Sequence, residues 1–429
     1  MPPFSPGRPP AWRRLVASRA LALSAALLMA TPALSQTPRL SLNEALRLGL
    51  AADPAANAFR ARLDAAKANV RQADTRPNPS LGLEVENFTG SGRFAALDRT
   101  ETTLSYHQAY ERGGKRQART LLAQREVDLA AVRAQVRRLD LAKAVQLAFI
   151  GVLAADAEVL VAEDQATVAQ RAHDEVSRRV AGARDPLFAG ARSEAELAQA
   201  RVSLDRANAN ARNARAALAA YWSGEAGFIE PIELFEDIRQ PPVSPVSADM
   251  PDLRLLAVER DIAVARIAVE QARAVQDPSL SLGVRHLQNE GAMALVVGGT
   301  LPLGRYDTNR GAIDRARSER TAVEADLEAL RLEREREIAL LIARRAAAVA
   351  EVRRTDDEVL PSAQRAVTLV GDGFRRGGFS YLDVIAAQRA LIEARSRRVE
   401  ILKAFHQDGA SLDRLTGAHA ELASTETQP

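Results

Sequence analysis

The chain has 429 residues, 58 Lys and Arg against 55 Asp and Glu, a formal net charge of +3 and no cysteine. Without cysteine there can be no disulfide, no thiolate metal site and no lipidated N-terminal cysteine. The basic residues do not cluster, so the footprint of a nucleic-acid binder is missing.

Residues Met1 to Ser35 carry Arg8, Arg13, Arg14 and Arg19, then a short apolar run from Leu21 to Met29, then Ala33-Leu34-Ser35 before Gln36. This is the pattern of a secretory leader with an Ala-x-Ser cleavage site, so the mature chain is expected to start near Gln36. Its four arginines leave with it. Lys and Arg then fall from 58 to 54 against 55 acidic residues, and the net charge goes from +3 to −1. No later run approaches ~20 consecutive apolar residues, so no membrane-spanning helix is expected and any passage through a membrane must use strands.

The mature chain reads as two repeats. The first, residues 36–224, has an alanine-rich helical run from Leu42 to Ala73, then strands at about 80–88 and 100–110 joined by the loop Thr89 to Arg99. A long helix at about 115–180 follows, then a shorter helix closing at Gly224. Residues 225–251 are proline-rich and without clear periodicity, which predicts a linker packed outside the helices. The second repeat, residues 252–417, runs through a helix from Leu253 to Ala274, strands at about 279–288 and 292–302, another long charged helix, and a shorter helix closing at Gly417. The tail, residues 418–429, is polar and expected to be disordered.

The long helix contains no proline, and at about 1.5 Å per residue it spans roughly 100 Å. Its apolar residues fall on two seams roughly 150° apart. One runs Leu129, Val132, Val136, Leu139, Ile150, Leu153 and Leu160, interrupted by Lys143 and Gln146; the other is carried by Leu141, Val145, Ala148, Val152, Val159, Ala162, Ala166 and Ala169. A two-stranded coiled coil needs one seam. A helix flanked on both sides, as in a closed cylinder, needs two.

In the strands, Leu81, Leu83 and Val85 alternate with Gly82, Glu84 and Glu86, and Leu280, Leu282 and Val284 with Ser281, Gly283 and Arg285. Such alternation suits a membrane barrel, apolar outside and wet inside, although on pattern alone it more often marks the half-buried strands of a soluble sheet. Four strands cannot close a barrel, but several chains contributing four each can.

These residues resemble the TolC family of outer-membrane efflux channels, within it the CzcC-like branch attached to heavy-metal exporters. The marks are the paired Pro79-Ser80 and Pro278-Ser279 strands, the strand exits Gln108 to Arg116 and Leu301 to Arg305, and the distal turns Arg179 to Leu187 and Phe374 to Val384. The resemblance covers nearly the whole mature chain, Leu42 to Gly417. It implies a mainly α fold with a membrane β-barrel: duplicated helix-strand-strand-helix repeats that form, as a homotrimer, a 12-stranded outer-membrane barrel continued by a periplasmic α-helical barrel. The implied function is passive conduction in a tripartite efflux system of a Gram-negative bacterium. Its partners are outer-membrane lipid, a periplasmic adaptor and an inner-membrane pump of the RND type. The branch implies heavy-metal cations such as Co, Zn, Cd or Ni, with drug or small-organic efflux or type I secretion as the alternative. A periplasmic adaptor or a structural coiled-coil protein is the competitor of a different class; the duplication argues against the first and the two seams against the second.

The resemblance places the periplasmic constriction at Asp383, one carboxylate per chain making a ring that attracts cations. Where many members carry a second aspartate one turn on, this chain has Ala386. Asp383 equally suits a helix cap after Ser380. The adaptor-contact tips are expected at Gly182, Ala183, Asp185, Gly378, Ser380 and Tyr381, with Gly182 and Gly378 either supplying backbone freedom for close approach or serving as helix C-caps. Gly113-Gly114-Lys115 lacks the rest of a phosphate loop and reads as a strand-to-helix hinge. The histidines His107, His173, His286, His406 and His419 have no second ligand at metal spacing, and no nucleophile motif is present, so neither a metal, a cofactor nor a catalytic site is expected.

Overall fold

The computed structural model of the chain describes residues 40–95, 97–228, 232–240 and 249–424. The leader, part of the 225–251 linker and residues 425–429 of the tail lie outside the described residues.

Helix α1 (Leu42–Ala51) begins where extended Ser41 accepts a hydrogen bond from the Glu44 amide at 3.2 Å, and α2 (Ala56–Ala73) follows. Next come β1 (Ser80–Glu86) and β2 (Glu101–Ala109). Strand β1 stops short of 88 because Asn87 turns left-handed, with φ 55°. Helix α3 (Lys115–Ala181) is unbroken over 67 residues, and α4 (Leu187–Ala219) folds back along it.

The second repeat opens with α5 (Pro251–Arg273), which has proline at its first position. Strands β3 (Ser279–Leu287) and β4 (Ala292–Thr300) follow. Helix α6 (Arg310–Arg354) then passes through a π-helical segment (Thr355–Val359) into α7 (Leu360–Arg376). Proline 361 accounts for the interruption: it has no N–H to give the preceding turn, and a wider turn keeps its ring off that turn's carbonyl. Helix α8 (Tyr381–Thr416) ends at Gly417, left-handed at φ 75°.

The strands form one antiparallel sheet in the order β1-β2-β3-β4, with Leu83, Leu104, Val284 and Leu295 aligned across it. Strands β1 and β4 are its two edges. Next to the sheet the helices lie side by side as α2, α3, α5 and α6; at the far end the order is α4, α3, α8 and α7. Helix α3 thus has neighbours on both flanks, as two seams require. Val132, Leu139, Ile150 and Leu153 of one seam are buried, and so are Val145, Val152 and Ala162 of the other. Gln146, which interrupts the first seam, is buried too and donates to Asp413 Oδ2 at 2.8 Å.

Two expectations need correction, those for the linker and the tail; that for a membrane-spanning helix meets, among the described residues, only one helix that passes by composition. Helix α3 contains an 18-residue window of mean hydropathy 1.9, apolar enough by length and composition to cross a membrane, although no run of ~20 apolar residues exists. Half of that window is buried inside the protein. The apolar stretch of α3 centres on Val145, Phe149 and Val152, which belong to the main hydrophobic core at the middle of the rods. The linker does not simply lie outside, since Phe235 is fully buried in that core. The described part of the tail forms α9 (Ala420–Ser424), because Leu422 packs on the same core and the Ala420 amide bonds to the Gly417 carbonyl at 2.9 Å.

Candidate functional site

The sheet has two unlike faces. Apart from Thr102, Gln108, His286 and Gly299, residues of one parity are apolar across all four strands: Leu81, Leu83 and Val85, then Leu104 and Tyr106, then Leu280, Leu282 and Val284, then Met293, Leu295 and Val297. All of them are exposed. The other face carries Glu84, Glu86, Glu101, Ser105, His107 and Arg285. On it Arg285 donates to Thr103 Oγ1 at 2.9 Å and Glu101 Oε2 at 2.8 Å and lies 2.9 Å from Glu86 Oε2. The nine residues in each of β2, β3 and β4 are about 30 Å long, which at a tilt of about 35 to 45° covers about 21 to 25 Å, close to an outer-membrane apolar band of about 25 Å. The apolar face therefore suits lipid and the charged face water.

At the opposite end of the rods lie the two distal turns, and both are Schellman motifs. In the first, the Arg184 amide reaches the Arg179 carbonyl at 2.8 Å and the Ala183 amide reaches Val180 at 3.0 Å. In the second, Gly378 reaches Gly373 at 2.8 Å and Gly377 reaches Phe374 at 3.0 Å. The left-handed residues are thus Ala183 (φ 56°) and Gly377 (φ 84°), not Gly182 and Gly378. A Cβ at Gly182 or Gly378 would meet only ordinary contacts, of 3.4 Å and 3.6 Å.

Among the expected tips, Gly182, Ala183, Gly378 and Ser380 are exposed. Tyr381 is instead buried with Val176, Ala189, Phe374, Val384 and Ile385, because its ring faces α3 and α7. Asp185 is tied inward: Arg179 donates to both its oxygens, at 2.9 and 3.0 Å, and also to the Phe374 carbonyl at 2.7 Å, with its guanidinium 4.4 Å from the Phe374 ring centre. The sequence reading missed Leu187 and Phe188, which are 82% and 71% exposed. Two adjacent apolar residues at a helix start cannot both face the same neighbour, and that was the available signal.

Asp383 and Ala386 are both exposed. Asp383 completes a capping box: Ser380 gives its amide, at 2.9 Å, and its hydroxyl, at 2.7 Å, to Oδ2, while the Asp383 amide donates back to Ser380 Oγ at 3.3 Å. These bonds hold the carboxyl below the usual range, so it stays charged.

The histidines are dispersed, each with its own partner. His107 meets Ser105, His173 meets Ser193, His286 meets Gln288 and His419 meets Gln146. His406 lies 2.9 Å from the Phe235 carbonyl, which can only accept, so Nε2 carries the proton. Among the described residues no three His, Asp or Glu side chains are grouped to hold a metal ion. The hinge glycines Gly113 and Gly114 are both left-handed, and a Cβ at Gly113 would come within 2.7 Å of Val275.

Residues 45–223 and 246–418, one span in each repeat, match the family model described as outer membrane efflux protein. The cobalt-zinc-cadmium resistance protein CzcC of Cupriavidus metallidurans is 29% identical over 381 residues, which cover 88% of this chain and 90% of that protein. The nickel and cobalt resistance protein CnrC of the same organism is 30% identical over 301 residues, 67% of this chain and 69% of that protein. Among solved structures, the outer membrane protein VceC of Vibrio cholerae superposes with a TM-score of 0.68 at 20% identity, covering 88% of this chain and 96% of that one.

Proposed function

We propose, from the premise that the chain belongs to the outer membrane efflux protein family, that three copies close a twelve-stranded barrel in the outer membrane and a helical cylinder in the periplasm. The observation that carries this reading is the sheet: two unpaired edges, one uncovered apolar face and one charged face. Pairing β4 of each copy with β1 of the next removes every edge and gives both faces their solvent. The channel conducts passively. A periplasmic adaptor docks at the distal turns and an inner-membrane pump of the RND type supplies the work.

The cargo is heavy-metal cations, supported by likeness to the cobalt-zinc-cadmium and nickel-cobalt resistance proteins. The ring of three Asp383 carboxylates, kept ionised by Ser380, favours cations at the mouth. Docking uses Gly182, Ala183, Gly378 and Ser380 together with the exposed Leu187 and Phe188. Deleting the protein from its host is expected to lower tolerance to Co, Zn, Cd or Ni; unchanged tolerance to all four overturns the cargo assignment. Purified protein is expected to be trimeric and to conduct in a planar bilayer, and a soluble monomer overturns the channel itself. Asp383→Asn is expected to weaken cation over anion selectivity in the same bilayer.

A further inference from the structure

A groove of about 830 Å³ opens where the apolar face of the sheet meets the helices. It is walled by Arg76, Asn78, Tyr106, Tyr110, Lys115 and Arg116. Tyr106 has the parity of the lipid-facing residues Leu104 and Leu83, so the groove continues the apolar band at its helical end. Tyr106 and Tyr110 are half exposed there, as aromatic residues at a membrane interface are.

The charges of the groove do not cancel. Glu111 on its wall is taken up by Arg119, and Lys115 by Asp277 at 2.6 Å. Among the described residues Arg116 is held only by Asp74, at 3.6 Å, itself well exposed. Arg76 makes no ion pair among the described residues. The second repeat has no counterpart, because its matching residues are Val275, Gln276 and Asp277 in place of Arg76, Pro77 and Asn78. The groove is thus a cationic notch continuous with a lipid-facing surface. It lies on the periplasmic side, since the helices do.

We propose that this groove seats the headgroup of a glycerophospholipid of the periplasmic leaflet, Arg76 and Arg116 taking the phosphate and Tyr106 and Tyr110 the glycerol and first methylenes. Arginine matches phosphate oxygens with paired N–H donors. The lipid's chains then lie against Leu81 and Leu83. The inference rests on the outer-membrane channel reading.

The test is native mass spectrometry of the delipidated trimer titrated with palmitoyl-oleoyl phosphatidylglycerol. The expected result is one tightly held lipid per protomer, weakened about tenfold or more by Arg76→Gln with Arg116→Gln. Tyr110→Ala weakens it less, Arg76→Lys retains most of it, and Arg99→Gln in the far loop changes nothing. Inorganic phosphate leaves the lipid in place. Equal binding by the double variant overturns the site, and displacement by phosphate alone reassigns it to a free anion. A groove filled by residues 301–309 of the neighbouring copy also overturns it. The trimer mass in the same spectrum, with conductance in a bilayer, separates failure of this site from failure of the channel reading.

Discussion

The middle of the rods and their distal end are built from the same helices but held together very differently. At the middle, α1, the linker and α9 close over α3, α4 and α8, burying Phe149, Leu218, Phe235 and Leu402 in one core. Half-buried ion pairs reinforce it: Arg414 bridges Asp140 of α3, at 2.5 Å, and Asp252 of α5, at 3.0 Å. Arg398 ties Glu236 of the linker to Asp356 of the π-helical segment. At the distal end a six-residue cluster stands alone, joined across the two hairpins by Arg179. The lesson is that the rods are anchored at their waist, leaving the mouth in the low-stability part of the molecule, where moving elements are found.

Truncation at each end tests this contrast. Phe235→Ala removes a fully buried ring from the waist and is expected to cost about 3 to 5 kcal/mol, read as a fall in the temperature at which the trimer dissociates. Arg179→Ala leaves Asp185 without its donor and the Phe374 carbonyl with the Gly377 amide alone, and costs about 2 kcal/mol. That loss should show as faster amide exchange confined to residues 181–189 and 374–381. Loosening that spread to the waist would break the contrast.

The two distal turns also differ from each other. Gly377→Ala forces a side chain into left-handed backbone and costs about 1 to 2 kcal/mol, whereas Ala183→Gly relieves the same strain and gains up to about 1 kcal/mol. Limited proteolysis of the distal turns should rank the variants in that order.

The smallest effect concerns acidity. Burial holds His406 below its ordinary value of 6.5, and the charge of Arg345 adds to this; the Phe235 carbonyl, Asp237 and Glu236 oppose it. An unfolded imidazole takes its proton near pH 6.5 and the folded one only lower, so the stabilisation is whole above pH 6.5 and lost as pH falls below it. Exchange of the linker amides should quicken over that window, and His406→Gln should abolish the dependence.

Much of the architecture was legible in the chain. Absence of proline gave the uninterrupted α3, two seams gave its two flanks, and period-two alternation marked β1 and β3, while the pairing register came only from the structure. The distal turns were harder, because a glycine rule assigns left-handed backbone to Gly182, whereas the hydrogen bonds closing α3 put it one residue later, on Ala183. Tyr381 reads as a polar tip until α7 places Phe374 6.1 Å from its ring. Phe235 lies in a stretch without period, and only tertiary packing draws it inward. The π-helical segment leaves no trace in sequence beyond Pro361.

The open edges at β1 and β4 bear on biogenesis. A lone chain offers two ready templates for strand addition, and any other chain with exposed backbone can take them. Copies must therefore meet before or during insertion, which makes the yield of channel steeply dependent on how fast chains arrive and on what shields them in transit. It also makes a copy with one blocked edge a poison: built into the ring, it leaves two sound partners unable to seal.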